Sequence, residues 1–441
     1  MNPTSGKLAT QNSPIASIGF AGLSHLGIVY SAASASRGFP VVAFDDRPGL
    51  AEDLCRGRFP VAEPGLAEVC REHRRRLLFT SDARQLAQCR LIFAALDVTT
   101  NDANQSDLAP LDTLLAKVIP NLAEGATLAI MSQVPPGFSR QLAAQLPAGV
   151  ELYYQVETLV FGNAVARAVH PERIIVGCGA GSAETPASLP AQYTSYLQAF
   201  DCPVLCMRYE SAELCKIAIN CFLVASVATS NTLAGICESI GADWREIVPA
   251  LRLDRRIGPH AYLTPGLGIA GGNLERDLVT VERLAAENGC DASVVTAWQR
   301  NSGYRKDWVL RRLFDCGLLE DPQRVRIGVW GLAYKQDTHS TKNSPSLALL
   351  RALHSYSCQA YDPAAQIDGA EFPHVRLCSG MEEAVQGADV LLVMTPWREF
   401  ASAQLDRLLP LMRGRTVVDP YGILPGERCQ QFGYRYERLG A

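Results

Sequence analysis

At 441 residues the chain is longer than one hydrophobic core usually supports, so we expect two or three domains. Hydrophobic residues make up 48% and charged residues 20% of the chain, as in typical globular proteins. The formal net charge of −4 lacks the surplus of clustered cations that nucleic acids and anionic membranes attract, so we expect neither as a partner. A small-molecule substrate fits this composition better.

Cysteine and histidine usage also narrows the class of protein. Fourteen cysteines occur without a C-x-x-C pair, which predicts free thiols in a reducing cytoplasm. The seven histidines form no ligand cluster, and we expect no metal. The first residues are polar and no apolar run looks long enough to span a bilayer, so we predict a cytoplasmic protein without a signal peptide.

The first third of the chain carries the pattern of a dinucleotide site. After a flexible tail, residues 1–14, the apolar strand Ile15–Ala21 runs into the turn G-L-S-H-L-G and a helix of small residues. The strand Val41–Phe44 follows and ends in an aspartate, at the offset of a ribose-binding acid. The start of the helix would hold a pyrophosphate, although a serine replaces the middle glycine of the turn. The predicted cofactor contacts are Gly22, Ser24, His25, Leu26, Gly27, Asp45 and Arg47.

The aspartate also bears on cofactor choice. Asp45 would accept hydrogen bonds from ribose hydroxyls and repel a 2′-phosphate, which favours NAD over NADP, whereas nearby Arg47 weakens that preference. The alternative is a Rossmann-like turn that binds nothing. The basic run at residues 71–76 precedes the predicted strand Leu77–Thr80. We interpret that run as a solvated helix end, with a binding patch as the alternative.

Further strands predict a sheet covered on both faces. Apolar runs at Leu91–Leu96, Thr127–Met131 and Glu151–Gln155 alternate with helical spans, which is typical of a parallel sheet. Ligands of such sheets bind outside the carboxyl ends of the strands.

A long helix is predicted in the middle, from Ser211 to Ile240, closed by Gly241. It is apolar nearly all round, so it must be covered on most sides, and we predict that it is the axis of a homodimer. Lys216 and Asn220 lie four residues apart and share one helical face. A lysine on an apolar helix needs a partner or a substrate oxygen, or else it extends its amine to the helix surface.

The last part of the chain adds a glycine-rich stretch and a second α/β unit. The stretch Pro265–Asp277 reads P-G-L-G-I-A-G-G-N-L-E-R-D, and its glycines would let backbone amides approach a ligand closely. The strand Val325–Trp330 then opens a second series of strands and helices. We predict a first domain at 15–205, a central helical region at 206–315 and a C-terminal domain at 322–441.

These motifs resemble those of the nucleotide-sugar (UDP-glucose/GDP-mannose) dehydrogenases. The glycine stretch resembles P-G-x-G-F-G-G-S-C-F-x-K-D, residues 132–137 resemble S-T-V-P-x-G, and residues 331–345 resemble G-L-A-F-K-x-x-T-D-D-x-R-x-S-P. The order of motifs is kept over about residues 15 to 435. The resemblance implies an α/β protein with two Rossmann-like doubly wound parallel-sheet domains joined by a long central helix. It also implies NAD as cofactor, a C-terminal domain that closes over UDP, and a reaction in the cleft between the α/β domains.

The resemblance assigns roles to individual positions. Lys216 would stabilise the sugar oxyanion or handle the proton, Asn220 would assist through a water, and Asp277 would position a water beside the reacting carbon. Asn273 falls on the family's nucleophilic cysteine, Phe161 on a glutamate that assists thioester hydrolysis, and Gln133 on a water-holding threonine. The other implied contacts are catalytic Glu157, the cofactor-side cations Arg276 and Lys342, and the substrate contacts Leu159, Phe161, Arg256, Gly268, Gly271 and Lys335.

The substitutions suggest which half of the family's chemistry remains. The retained positions belong with moving a proton and a hydride, and the lost ones with capturing an aldehyde and hydrolysing a thioester. We expect Cys215, Cys221 and Cys237 not to replace the missing nucleophile. The chain is therefore predicted to be a two-electron oxidoreductase on a nucleotide sugar or related phosphorylated alcohol. The alternatives are a four-electron dehydrogenase acting through a hydrated aldehyde, a redox-assisted epimerase and a nucleotide-binding pseudoenzyme.

Overall fold

The computed structural model describes residues 16–101, 103–179 and 188–441, which form two compact units. The first unit comprises the described residues of Met1–Val98 and Asp107–Lys216, and the second comprises those of Thr99–Ser106 and Ile217–Ala441. The predicted tail, residues 1–14, lies outside the described residues. The domain boundaries predicted from the sequence stay a prediction.

The first unit is built of alternating strands and helices. Its strands are β1 Ile18–Ala21, β2 Val41–Phe44, β3 Leu77–Thr80, β4 Leu91–Ala94, β5 Thr127–Ile130, β6 Glu151–Gln155, β7 Ile174–Cys178 and β8 Val204–Arg208. Its helices are α1 His25–Ser36, α2 Leu50–Cys55, α3 Leu66–Glu72, α4 Ala109–Val118, α5 Phe138–Ala143, α6 Ala164–Val169 and α7 Ala191–Gln198. The basic run at 71–76 lies where α3 ends and β3 follows, as predicted.

The eight strands form one sheet in the order β3-β2-β1-β4-β5-β6-β7-β8. Strands β1 to β6 pair in parallel with one another, whereas β7 runs antiparallel to β6 and parallel to β8. Separate hydrophobic clusters cover the two faces, one around Phe20 and Phe93 and the other around Ile92 and Ile130. The doubly wound sheet is therefore confirmed, with a reversed pair of strands at one end.

Parallel pairing decides which loops meet. The segments that leave β1, β2, β4, β5 and β6 all emerge at the same edge of the sheet, because these strands run in one direction. Chain segments that are far apart in sequence thereby line the carboxyl edge of the sheet. This edge carries the glycine turn after β1, Asp45 after β2, Asp97 after β4, Gln133 after β5 and Glu157 after β6.

A single helix, α8 Tyr209–Ile240, begins in the first unit and continues into the second. It ends as predicted, at Gly241 with φ of 74°. Among the described residues it is the one helix long and apolar enough to cross a membrane, so the expectation that no run is long enough was wrong by length and composition.

Two glutamates of α8 accept hydrogen bonds from other parts of the protein. Glu213 accepts hydrogen bonds from the amides of Gly137 and Ser139, at 2.6 and 2.8 Å. Glu238 accepts one from the indole N–H of Trp308 at 2.8 Å. Such contacts offset the cost of burying polar groups and hold the helix to the globular fold.

The second unit continues with four helices: α9 Trp244–Leu253, α10 Asn273–Asn288, α11 Ser293–Lys306 and α12 Trp308–Asp315. Its strands are β9 Arg326–Trp330, β10 Ser357–Tyr361, β11 Val375–Leu377, β12 Val390–Val393, β13 Thr416–Val418 and β14 Arg435–Glu437. The remaining helices are α13 Pro345–Ala352, α14 Met381–Val385, α15 Arg398–Ala401, α16 Leu405–Leu408 and α17 Gly426–Gln431. The strands pair in parallel in the order β11-β10-β9-β12-β13-β14, again with a hydrophobic cluster on each face. This is the second Rossmann-like sheet that the sequence predicted.

Candidate functional site

The glycine turn between β1 and α1 is closed by tight backbone packing. The Gly22 amide donates to the carbonyl of Phe44 at 2.9 Å, and Gly22 has φ of 89°. A Cβ on Gly27 would lie 1.8 Å from the Gly22 carbonyl oxygen, so only glycine fits there. The turn thus brings the first turn of α1 directly onto the end of β1.

Asp45 is buried beneath this turn. Its carboxylate accepts hydrogen bonds from the Leu23 amide at 2.7 Å and from the Arg47 guanidinium at 2.8 and 2.9 Å. Burial alone would raise the pKa of Asp45, but the bonds from Arg47 and from Leu23 outweigh it and hold the pKa below its usual range. The carboxylate is therefore an ionised acceptor at the end of β2, as predicted, with Arg47 bound to it.

Asp97, which the sequence analysis did not select, joins the same turn. Its amide donates to the Ser24 hydroxyl oxygen at 2.8 Å, and its carboxylate accepts from the Leu26 amide at 3.0 Å. The available signal was an acidic residue just past the strand paired with β1. A contact spanning 71 residues is not visible in any local pattern, because it depends on strand order.

His25 links the turn to the loop after β6. Its ring stacks on the Phe161 ring with centroids 4.2 Å apart, and its Nε2 lies 3.0 Å from a Glu63 carboxylate oxygen. Glu63 also accepts from the amides of Gly162 and Ala164, at 3.1 and 2.8 Å. Phe161 is thus held against the predicted dinucleotide turn. Leu159 in the same loop packs on the core.

Lys216 forms an ion pair with Glu157 at 2.8 Å, and both side chains are mostly buried. The Glu157 carboxylate also accepts from the Leu159 amide at 2.9 Å, which fixes it in the loop after β6. Gln133 is buried just past β5. The structure therefore brings a lysine, its carboxylate partner and a glutamine to the carboxyl edge that also carries the glycine turn.

In the second unit, Asn220 donates from its side chain to the Asp277 carboxylate at 2.5 Å. Arg276 lies beside Asp277, with Nε 3.3 Å from the other carboxylate oxygen, and all three side chains are buried. Cys221 packs into an adjacent apolar cluster. Burial, with Asp277 adding to it, raises the pKa of the Cys221 thiol to about 11. A thiol of that kind is a poor nucleophile near neutral pH.

The glycine stretch docks on the second sheet's first loop. Gly271 has φ of 82°, and a Cβ there would lie 2.8 Å from the Tyr334 ring; its amide donates to the Lys342 carbonyl at 3.1 Å. Gly268, with φ of 80°, abuts the Ser302 carbonyl in the same way. Asn273 opens α10, is exposed, and its side chain makes no hydrogen bond to any described residue.

The three remaining predicted cations lie elsewhere in the second unit. The Lys342 amine donates to the Asn101 carbonyl at 3.4 Å, and the Lys335 amine lies 5.8 Å from the Tyr334 ring centre. Arg256 follows α9 with its side chain 88% exposed and binds Asp254 at 2.6 Å. The roles of these residues stay predictions.

We expect the buried Asp45 carboxylate to stabilise the first unit in a pH-dependent manner. Asp45→Asn should lower the free energy of unfolding by about 2 kcal/mol at pH 7, because a buried charged acceptor loses bonds from Leu23 and Arg47. The folded-state pKa is depressed, so this contribution is present above the unfolded pKa of about 4 and is lost as the pH falls through the folded value. Urea denaturation of both proteins from pH 7 towards pH 3 measures it.

Asp82 provides the matched control. It binds Arg84 in the same local geometry, at 2.9 Å to each oxygen, but the pair is exposed. Asp82→Asn should leave the urea midpoint unchanged within error. Equal effects of the two substitutions, or an Asp45→Asn difference that does not shrink as the pH falls below 4, would contradict the assignment.

Models of one protein family match the chain in three consecutive segments. The NAD binding domain of the UDP-glucose/GDP-mannose dehydrogenase family matches residues 16–194, its central domain 210–302 and its UDP binding domain 328–426. The chain is 28% identical to the UDP-glucose 6-dehydrogenase of Pseudomonas aeruginosa, over 95% of this chain and 96% of that one. It is also 28% identical to UDP-glucose 6-dehydrogenase AglM of Haloferax volcanii, over 95% and 98%.

The fold is similar to that of solved members. A UDP-glucose dehydrogenase of Pyrobaculum islandicum superposes with a TM-score of 0.83 at 24% identity, over 98% of this chain and 99% of that one. Two features of the turn fit a bound dinucleotide: the Gly27 position has no room for a side chain, and the Leu26 amide already binds an anionic oxygen, from Asp97. The chain belongs to the UDP-glucose/GDP-mannose dehydrogenase family and is an oxidoreductase whose cofactor is NAD.

Proposed function

We propose that this protein oxidises a carbinol of a nucleotide sugar to a carbonyl in a single two-electron step, without a cysteine thioester. The observation that carries the proposal is the Lys216–Glu157 ion pair at the sheet edge that bears the dinucleotide turn. A cation held there can stabilise the oxygen of a reacting carbinol. NAD, when bound, would supply the acceptor for the hydride of the carbinol carbon, and the hydroxyl proton would pass to water.

Glu157 is the positioning residue in this proposal. It neutralises the charge of the Lys216 ammonium in a mostly buried location. The hydrogen bond that it accepts from the Leu159 amide fixes the orientation of the Glu157 carboxylate and so the position of the ammonium. Lys216 would donate a hydrogen bond to the substrate oxygen as negative charge develops there. Gln133, which is buried just past the neighbouring strand, would hold a water beside the substrate oxygen.

Asn220 and Asp277 supply a second polar pair. The bond from the Asn220 carboxamide orients the Asp277 carboxylate, which Arg276 also contacts. Asp277 would hold a water at the reacting carbon, with Asn220 and Arg276 fixing it in place. Asn220 and Lys216 extend from the same helix one turn apart, so a shift of α8 would disturb both pairs together.

The second oxidation of a four-electron dehydrogenase needs a nucleophile, and the chain is poorly equipped for one. Asn273 offers a carboxamide at the position that the family resemblance gives to the nucleophilic cysteine. Phe161 is engaged with His25 and cannot activate water. Burial raises the pKa of Cys221, and the core thiols of Cys70, Cys89 and Cys358 reach about 12 for the same reason. These features favour a carbonyl product.

The substrate class follows from the relatives. The curated relatives are named UDP-glucose 6-dehydrogenases, and the C-terminal match is to a UDP binding domain. We therefore propose a UDP-sugar as substrate, with Leu159, Phe161, Arg256, Gly268, Gly271 and Lys335 as contacts and a cytoplasmic location. Lys342 and Arg276 would act on the cofactor side.

Product stoichiometry tests the reaction. With a panel of UDP-sugars and GDP-sugars, we expect one NADH per sugar consumed and a carbonyl product that hydrazine reagents trap. Asn273→Cys should not restore an acid product, because Phe161 still cannot activate water. Two NADH and an acid would instead indicate the hydrated-aldehyde route. Isotope exchange without net NADH would indicate an epimerase, and NAD binding without turnover would indicate a pseudoenzyme.

We further propose that α8 pairs with α8 of a second copy of this chain. Four large apolar side chains lie on one side of the helix and are exposed: Phe222 at 77%, Leu233 at 41%, Ile236 at 47% and Ile240 at 70%. Ser226 and Thr229 lie between the first of them and the other three. Large apolar side chains exposed on one side of a helix are typical of a homo-oligomer interface.

Light scattering after size exclusion tests this pairing. The wild type should have the mass of a dimer, and Phe222→Glu combined with Ile236→Glu should shift it to a monomer, because the charges cannot be buried against each other. Phe314→Glu is the matched control, since Phe314 is 73% exposed on α12 and should leave the dimer intact. A wild-type monomer, or a double variant that remains dimeric, would contradict the proposal.

A further inference from the structure

The carboxylate of Asp97 occupies the amino end of α1. The Leu26 amide, in the first turn of that helix, donates to it at 3.0 Å, while the Asp97 amide donates to the Ser24 hydroxyl oxygen at 2.8 Å. Ser24 is the N-cap residue, but its side chain makes no capping bond to the helix. Asp97 therefore supplies the side-chain acceptor that the N-cap residue leaves out.

This location is where a dinucleotide turn receives its ligand's diphosphate. The first amides of a helix have no partners within the helix and carry partial positive charge, which favours an anionic acceptor. In the strand–glycine turn–helix motif that acceptor is the pyrophosphate of the cofactor. Two anionic groups therefore compete for the Leu26 amide: the diphosphate of the cofactor and the Asp97 carboxylate.

Asp97 differs from Asp45, which lies at the same edge of the sheet, in how its negative charge is compensated. Asp45 is buried and carries the Arg47 guanidinium, so its charge is balanced in place. Asp97 is exposed and forms no ion pair with any described residue. Its charge is balanced only by the end of α1, and a diphosphate that binds there both displaces it from the Leu26 amide and is repelled by it.

We propose that Asp97 is a specificity-determining residue that competes internally with the diphosphate of NAD. It occupies the anion site at the start of α1 and lowers the affinity for every ligand that places a diphosphate there. Because its side chain is exposed, it can turn to solvent when the cofactor binds. The proposal rests on NAD being the cofactor and is independent of the sugar reaction, so binding measured without any sugar tests it alone.

The test is calorimetric titration of the purified protein with NAD, ADP and adenosine, without a sugar substrate. Asp97→Asn keeps an oxygen that can accept from Leu26 and removes the charge. We expect it to bind NAD and ADP about tenfold more tightly than the wild type, since one unit charge at a helix end and beside a phosphate is removed. Adenosine, which lacks phosphate, should bind Asp97→Asn with an affinity within about twofold of that for the wild type. The gain should shrink in 0.5 M NaCl, where exposed charges are screened.

Two further variants separate competition from other causes. Glu124→Gln makes the same change of charge at the opposite edge of the sheet, just before β5, and should leave all three affinities unchanged. Asp97→Ala removes both charge and acceptor; it should also bind NAD more tightly than the wild type, whatever it does to the thermal midpoint of the free protein. Unchanged or weaker binding of NAD and ADP by Asp97→Asn would overturn the proposal. So would a tenfold gain for adenosine.

Discussion

The arrangement of the site depends on how α8 is held. Helix α8 has 32 residues, and apolar side chains lie on most of its sides. Burying one side rather than another therefore changes the hydrophobic free energy little, so hydrophobic burial alone does not determine the rotation of α8 about its axis. Its few polar side chains do, because each must find a partner when it is buried. Glu213 binds the amides at the start of α5, Lys216 binds Glu157, and Asn220 binds Asp277. These bonds fix the rotation of α8 within each unit: those of Glu213 and Lys216 in the first unit and that of Asn220 in the second.

The carboxyl edge of the first sheet supplies the other half of the arrangement. Five loops meet there because β1, β2, β4, β5 and β6 run in parallel, and they bring acids, a glutamine and the glycine turn together. The charges at this edge are handled in different ways. Asp45 is matched by Arg47 and Glu157 by Lys216, whereas the Asp97 carboxylate accepts from the Leu26 amide and has no cationic partner among the described residues. The site therefore combines two carboxylates that are paired with cations and one that is not.

Much of this was predictable from sequence because it rests on local periodicity. The strand, glycine turn and helix at residues 18–36, the acid after β2 and the span of α8 each follow from spacing that a single element dictates. The partners of those residues were not predictable. Asp97 reaches the Leu26 amide and Phe161 reaches His25 only because strand order and loop paths bring distant segments together. The reversed β7 was missed for the same reason, since direction is a property of pairing and leaves no mark in a short apolar run.

In the proposed reaction, carbinol oxidation proceeds without a covalent bond between enzyme and sugar. Intact-protein mass spectrometry of samples quenched during turnover with NAD and a UDP-sugar tests this. We expect the unmodified mass of the chain at every time point. A population heavier by the mass of an acyl nucleotide sugar, released by hydroxylamine and located at a cysteine, would contradict it.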